Sequence, residues 1–400
     1  MEAQYTATAT APAAKGISRG LTILLAIATG ISVANIYYNQ PILKEIADAV
    51  GVSEGHIGNV SMFTQVGYGL GLFFLIPLGD KVNRKRLIFV LLFLLTLTLI
   101  GISFATSLAE VSIYSVLIGL LSVSAQIIIP MAASMDKVNR GKTVGIIISG
   151  LLIGILSARI FSGLIAEWMG WRYVFRLSAI LVVTMMVLLQ LLLPAVKNDF
   201  TGNYLSLLKS TVQQFKQYSL LREACFSGAL LFGIFCSFWT TFTFHLSAPP
   251  FNYHSDTIGS FGFVAIAGAL AASFFGKQSD KGNHNARRNI FIAIGFIAAS
   301  VLAGKLFPDS VIAMIAFVLL LDVGIQAAHV SNMARIYTLS ETSLSRVNTV
   351  YMTCYFIGGS LGTFVGTTCW RIGGWSLVTW SMLLWCTLAV LVMAKKRAHH

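Results

Sequence analysis

Apolar runs of about twenty residues, separated by short polar segments, recur twelve times along the chain. They begin near Leu21, Ile57, Leu87, Val111, Thr143, Tyr173, Arg222, Thr257, Asn289, Ser310, Val347 and Trp375. A helix of that length crosses a hydrocarbon layer of ~30 Å, so each run predicts one membrane span. The first run follows a polar segment rich in Ala and Thr, and no small-residue cleavage site follows it, so it reads as a retained helix rather than a signal peptide. The expected fold is all-α. A composition of 56% hydrophobic and 11% charged residues, with a mean hydropathy of +0.78, agrees with a polytopic membrane protein and excludes an ordinary soluble domain.

The formal net charge of +13 would suit nucleic acid, but the positions of the basic residues point to a lipid bilayer instead. With the N-terminus inside, 22 of the 28 Lys and Arg fall in inner segments, five fall outside (Lys44, Arg172, Arg176, Lys305 and Arg371), and Arg159 falls within a span. Both termini are therefore expected in the cytoplasm, and no nucleic-acid partner is expected. The five cysteines form no metal-like pair and read as packing residues. No Gly-rich Lys motif for ATP, no His and carboxylate cluster and no serine nucleophile elbow occurs, so neither a cofactor nor an enzymatic activity is expected.

The longest polar stretch, 197–221, divides the chain into an N-terminal unit at 21–196 and a C-terminal unit at 222–394, with tails at 1–20 and 395–400. The halves repeat. Asp80-Lys81 after span two and Asp280-Lys281 after span eight stand 200 positions apart, and Gln126 in span four and Gln326 in span ten keep that offset. Spans five and eleven are both Gly-rich and end in Gly170-Trp171 and Gly374-Trp375. Parallel six-helix repeats are an architecture in which a substrate sits at midplane between two rocking bundles.

These features resemble the major facilitator superfamily over essentially the whole chain. The resemblance rests on Asp80-Lys81-Val82-Asn83-Arg84-Lys85, its weaker copy Asp280-Lys281-Gly282, and Gly170-Trp171-Arg172 after the Gly-rich fifth span. Where the family's loop signature has two glycines, Ile76 and Asn83 stand here. The resemblance implies twelve transmembrane helices in two pseudo-symmetric six-helix bundles, and a gating role for Asp80, Lys81, Arg84, Asp280 and Lys281. Asp80 would sit at a helix C-terminus, where the dipole is already negative, and would need Lys81 and Arg84 more in one conformation than in the other. The bacterial drug and metabolite efflux branch is the nearest likeness. Its drug:proton antiporters carry Gly-Pro in span five, and Arg159 takes roughly that place here. Such antiporters often carry an Arg in span four, where this chain has Gly119 and Ser122.

Asp322 is the only acidic residue inside a predicted span and Arg159 the only basic one. A charge at mid-membrane depth costs at least ~2.5 kcal/mol, so each should face a cavity or a partner. Asp322, Gln326, His329 and Met333, at spacings of four, three and four, should form one helix stripe. Small residues at Gly145, Gly150, Gly154, Ser157, Ala158, Ser162 and Gly163 give span five a smooth packing face. Asn35, Tyr38 and Asn39 should share a face near the outer end of span one, just before Gln40-Pro41. Phe235, Phe238, Trp239, Phe242 and His245 should form an aromatic wall on span seven. The expected reading is a plasma-membrane secondary transporter of the bacterial inner membrane, a monomer exchanging protons for a small organic molecule. Asp322, Arg159 and His329 would couple the proton, and Asn35, Tyr38, Asn39, Gln126, Arg159, Trp239, Phe242, His245 and Gln326 would line the substrate site. Uptake or uniport of an organic anion anchored on Arg159 remains open, as does a receptor or scaffold without transport.

Overall fold

The computed structural model describes residues 17–136, 139–194, 203–270, 283–339 and 344–394. The described residues form helices α1 (Arg19–Ala34), α2 (Leu43–Val50), α3 (Glu54–Ile57), α4 (Asn59–Lys81), α5 (Arg84–Ile102), α6 (Leu108–Leu121), α7 (Ser124–Met135), α8 (Arg140–Met169), α9 (Trp171–Leu192) and α10 (Tyr204–Gln217). The second half supplies α11 (Ser219–Ser247), α12 (Ser255–Leu270), α13 (Asn283–Leu306), α14 (Val311–Ile336) and α15 (Leu344–Ala394). Each expected span falls on helix, with span four shared between α6 and α7 and the last two spans both within α15, and among the described residues nine helical segments are long and apolar enough to cross a membrane. Within α15 the last two spans are two helical arms separated by a non-helical break at Gly373 and Gly374, where Gly374 has a φ of 57° that a side chain would oppose.

Two spans depart from an uninterrupted helix. Span one is a 16-residue helix that stops at Ala34, so Asn35, Tyr38 and Asn39 lie in a turn and not on a continued helix face. The cause is local: Asn35 donates its amide back to the Ile31 carbonyl at 2.8 Å, and Pro41 cannot donate to a continuing ladder. A 3₁₀ turn, Gln40–Ile42, then leads into α2. Span four is broken at Ser122, whose hydroxyl donates to the Ile118 carbonyl at 2.7 Å while its N–H tightens onto Gly119, giving α6 and α7 in place of one rod.

The packing repeats between the halves. In the first, α1 packs on α8, α4 on α6, and α5 on α9; in the second, α11 packs on the first arm of α15, α12 on α14, and α13 on α15. Close helix approach in both seams depends on glycine. A Cβ on Gly30 would fall 2.6 Å from the Gly150 carbonyl oxygen, and one on Gly358 would collide with the backbone of Ala229. The segment 197–221 contains α10, which is amphipathic and packs on α4, α11 and α15; its Tyr204 hydroxyl donates to the Phe74 carbonyl at 2.7 Å.

Contacts between halves run along α8 with α12 and α4 with α15. They include a set of hydrogen bonds at the end opposite the chain termini, called here the distal end. There Thr243 donates to the Gln40 carbonyl at 2.8 Å, Ser255 to the Gly163 carbonyl at 3.1 Å, Thr367 to Asn59 at 3.3 Å, and the Trp370 indole to Glu54 at 3.0 Å. Residues 32–43 and 231–246 are buried without interruption, so the distal end is shut.

Candidate functional site

The stripe on α14 begins from Ser310, whose hydroxyl caps the helix by accepting from the Ala313 N–H at 3.4 Å. Because α14 then runs unbroken for 26 residues, Asp322, Gln326, His329 and Met333 do share one face. Asp322 is 1% exposed, whereas Gln326, His329 and Met333 are half-buried, so the face becomes more open toward the end that carries the termini. The His329 ring meets the Tyr351 hydroxyl at 3.3 Å and lies 4.9 Å from the Tyr355 ring.

Arg159 sits two-thirds of the way along the 30-residue α8 and is 1% exposed. Its Nε donates to Gln40 Oε1 at 2.9 Å, a partner delivered by the 3₁₀ turn after the break in span one. Its guanidinium carbon lies 4.0 Å from the centroid of the Trp239 ring, 5.2 Å from that of Tyr37 and 5.5 Å from that of Phe235. Stacking of this kind, desolvated, contributes about 2 kcal/mol. Nη1 and Nη2 are nevertheless buried with no hydrogen-bond partner, and so is Oδ2 of Asp322. Among the described residues no ion pair within 4.0 Å joins the two, although each is the foremost charge acting on the other. An ionised group held dry without a partner is costly. The pair is thus two open charges of opposite sign, close but apart, and chemically able to accept a proton, a counter-ion or a ligand.

Of the other expected lining residues, Tyr37's neighbour Tyr38 is buried with its ring 5.4 Å from Phe161. Asn35 accepts from Ser178 at 2.7 Å, and Asn39 accepts from Ser61 at 3.1 Å while donating to Thr64 at 3.0 Å, so both amides are committed to tying span one to its neighbours. Gln126 is half-buried and donates to the Tyr68 hydroxyl at 3.3 Å. Phe242 stacks on Phe238 at 4.6 Å and meets Phe261 at 5.1 Å. His245 lies further toward the distal end, donating from Nε2 to the Pro308 carbonyl at 2.9 Å and stacked on Trp375 at 4.3 Å. Of the aromatic wall, Phe235 and Trp239 therefore reach Arg159, while Phe238, Phe242 and His245 pack against the C-terminal half. Near the terminal end Lys81 is exposed and Arg84 donates to the Gly79 carbonyl at 3.1 Å. Asp280, Lys281 and the side chain of Asp80 lie outside the described residues.

Two groups escaped the sequence reading. Glu223, one turn into α11, and Arg335, near the end of α14, form a buried pair at 2.6 Å, with side chains 11% and 1% exposed. Their positions at span ends looked like part of the flanking charge pattern. Gln40 and Tyr355 were also missed. A glutamine beside a proline carried a faint signal, but nothing around Tyr355 marked it as a neighbour of Asp322. Outside the spans, burial raises the pKa of the Glu45 carboxyl on α2, opposed by the nearby Ser255 hydroxyl; Glu167, His254 and Asp48 act on it in turn. Glu45, Asp48, His254 and Ser255 rim a cavity of about 270 Å³ at the distal junction of the halves.

Repeated packing of long apolar helices, with two charges buried among them, defines a polytopic membrane protein. The sequence profile described as Major Facilitator Superfamily matches residues 25–363, and the chain belongs to that superfamily of membrane transporters. It is similar to "Uncharacterized transporter YgaY" of Escherichia coli O157:H7, 39% identical over 363 residues that cover 90% of this chain and 91% of the relative. It is also similar to "Probable transporter SCO4007" of Streptomyces coelicolor, 27% identical over 354 residues, 88% of this chain and 82% of the relative. The fold matches the crystal structure of a bacterial homologue of the human lysosomal transporter Spinster, described as inward-facing and occupied. The TM-score is 0.71 at 13% identity, covering 94% and 95% of the two chains.

Proposed function

We propose that this transporter works by alternating access and couples proton entry to the export of a small organic molecule, with Asp322 as the proton carrier and Arg159 as the group that senses its charge. The observation that carries the reading is the pair of open charges: Asp322 Oδ2 and Arg159 Nη1 and Nη2, all buried and all without partners. A carboxylate in that setting needs a proton or a cationic partner in every state of the cycle. Loading a proton releases Arg159 from electrostatic attraction, and loss of the proton draws the guanidinium back. The distal closure and the half-buried lower stripe of α14 support a state that communicates with the terminal end. The positive-inside distribution supports cytoplasmic termini in a bacterial inner membrane. His329, Gln326 and Gln126 then line the path from Asp322 to the cytoplasm. Lys81 and Arg84, with Asp80, Asp280 and Lys281, gate that end.

The test is pH-gradient quenching in proteoliposomes challenged with a panel of amphipathic cations, organic acids and zwitterions, comparing the native chain with Asp322→Asn. Substrate-evoked proton movement that vanishes in the variant is the expected outcome. Substrate flux without proton movement, unchanged by the variant, overturns coupling. It would favour instead uniport of an anion held on the two free Arg159 nitrogens.

A further inference from the structure

The free edge of Arg159 and the free oxygen of Asp322 constrain the cargo more tightly than either does alone. With Nε taken by Gln40 and one face covered by Trp239, the guanidinium keeps Nη1 and Nη2, two donors whose fork matches the two oxygens of a carboxylate. Asp322 keeps Oδ2, an acceptor suited to an ammonium. The two groups sit on opposite halves, Arg159 on α8 and Asp322 on α14, and no ion pair within 4.0 Å joins them among the described residues. A cation would satisfy Asp322 and leave the guanidinium buried and open; an anion would do the reverse. Either leaves an uncompensated charge in a dry site and brings a net charge into the membrane interior. A ligand carrying both signs satisfies both groups and keeps the site neutral.

The walls describe the rest of the molecule. Phe235 and Trp239 from α11 and Tyr37 from the turn after α1 surround the guanidinium, and Tyr355, stacked on Phe232 at 4.0 Å, stands within electrostatic reach of Asp322 and Tyr37. Aromatic rings with few free hydrogen-bonding groups suit an apolar or aromatic body.

We propose that the site takes a zwitterion of the α-amino-acid type, its carboxylate on Arg159 Nη1 and Nη2, its ammonium on Asp322, and its apolar side chain against Trp239, Phe235 and Tyr355. Spanning the two halves, such a ligand ties them together as neither single charge can. This deepens the reading of Arg159 and Asp322 as the transport site and gives the coupling a chemical form: ammonium and proton compete for one carboxylate, so cargo and proton exchange.

The experiment uses the full chain in lipid nanodiscs and measures binding by thermal shift for three matched probes, L-phenylalanine, phenethylamine and 3-phenylpropionate, with L-leucine and L-tryptophan as further zwitterions. On the native chain at least one zwitterion should bind about tenfold or more tightly than either singly charged analogue, the loss expected when one buried charge is left unpaired. Asp322→Asn should bring 3-phenylpropionate level with phenylalanine, and Arg159→Gln should do the same for phenethylamine. The native-chain comparison stands even if a variant fails to fold. Equal or tighter binding of the amine or of the acid on the native chain overturns the proposal, as does no binding of any zwitterion. Its failure is separable from failure of proton coupling: zwitterion preference without proton movement removes the coupling alone, and proton movement evoked only by singly charged probes removes the zwitterion alone.

Discussion

Closure of the distal end depends on a glycine pair where α8 and α12, from opposite halves, cross. A Cβ on Gly259 would stand 2.5 Å from the Arg159 carbonyl oxygen and 3.2 Å from the Gly163 Cα. Neither obstacle is a side chain that could rotate away, so in Gly259→Ala the helices must part by about 1 Å to restore a carbon–oxygen separation of ~3.3–3.6 Å. Overpacking of this kind costs about 1–3 kcal/mol. Because the strain exists only while the halves meet at this end, that cost appears as a shift toward the distally open state of about 5- to 150-fold, at 1.4 kcal/mol per factor of ten. The assay is the rate at which a membrane-impermeant maleimide labels a single cysteine placed by Ile258→Cys in a chain whose five native cysteines are serine. Ile258 is 2% exposed in the closed arrangement and becomes accessible as the halves separate. Gly145→Ala on α8, where a Cβ meets nothing within 4 Å, is the silent control. Equal labelling rates with and without Gly259→Ala would refute the claim that this crossing holds the distal end shut.

The same labelling assay should read two further effects. Trp370→Phe deletes the indole donor to Glu54, a hydrogen bond worth about 1 kcal/mol, and should favour the open state about fivefold; no change would mean the bond is broken in the membrane. Acidifying the distal side should slow labelling beyond the loss of thiolate measured on an exposed reference cysteine, because burial raises the Glu45 pKa in the closed arrangement. The advantage to closure is full below the ordinary carboxylate pKa and fades as pH rises through the raised value. Glu45→Gln should flatten this dependence, and a pH response that survives the substitution assigns it to another group. Within the C-terminal half, Glu223→Ala leaves Arg335 buried without its 2.6 Å partner and should cost about 3 kcal/mol, seen as a lower melting temperature in detergent; an unchanged melting temperature would count against the pair as a structural tie.

What the chain alone determined follows from short-range physics. The membrane's thickness sets the length of an apolar run, so span number and span starts could be read off residue by residue, and the repeat was visible as Asp80 with Asp280 and Gln126 with Gln326. The α14 stripe was legible because a straight helix converts spacing into direction. The breaks at Asn35 and Ser122 were less so, since each depends on a side chain choosing its own backbone over the helix ladder. Glycines in α8 announced a close approach but not its target; that Gly150 and Gly154 meet α1 while Gly163 meets α12 is a property of how two halves dock. Tertiary structure also decided which polar residues are spent and which are open. Asn35, Asn39 and His245 have the composition of ligand groups, yet each is hydrogen-bonded in this state to a partner 143, 22 and 63 residues away. Arg159 and Asp322 stood out as rare charges in apolar runs, but that they approach without pairing, over a floor of Trp239, is written in no local pattern. A charge in a span is recognisable from its desolvation cost, which belongs to the residue; whether that cost is met belongs to the neighbours, and only folding supplies them.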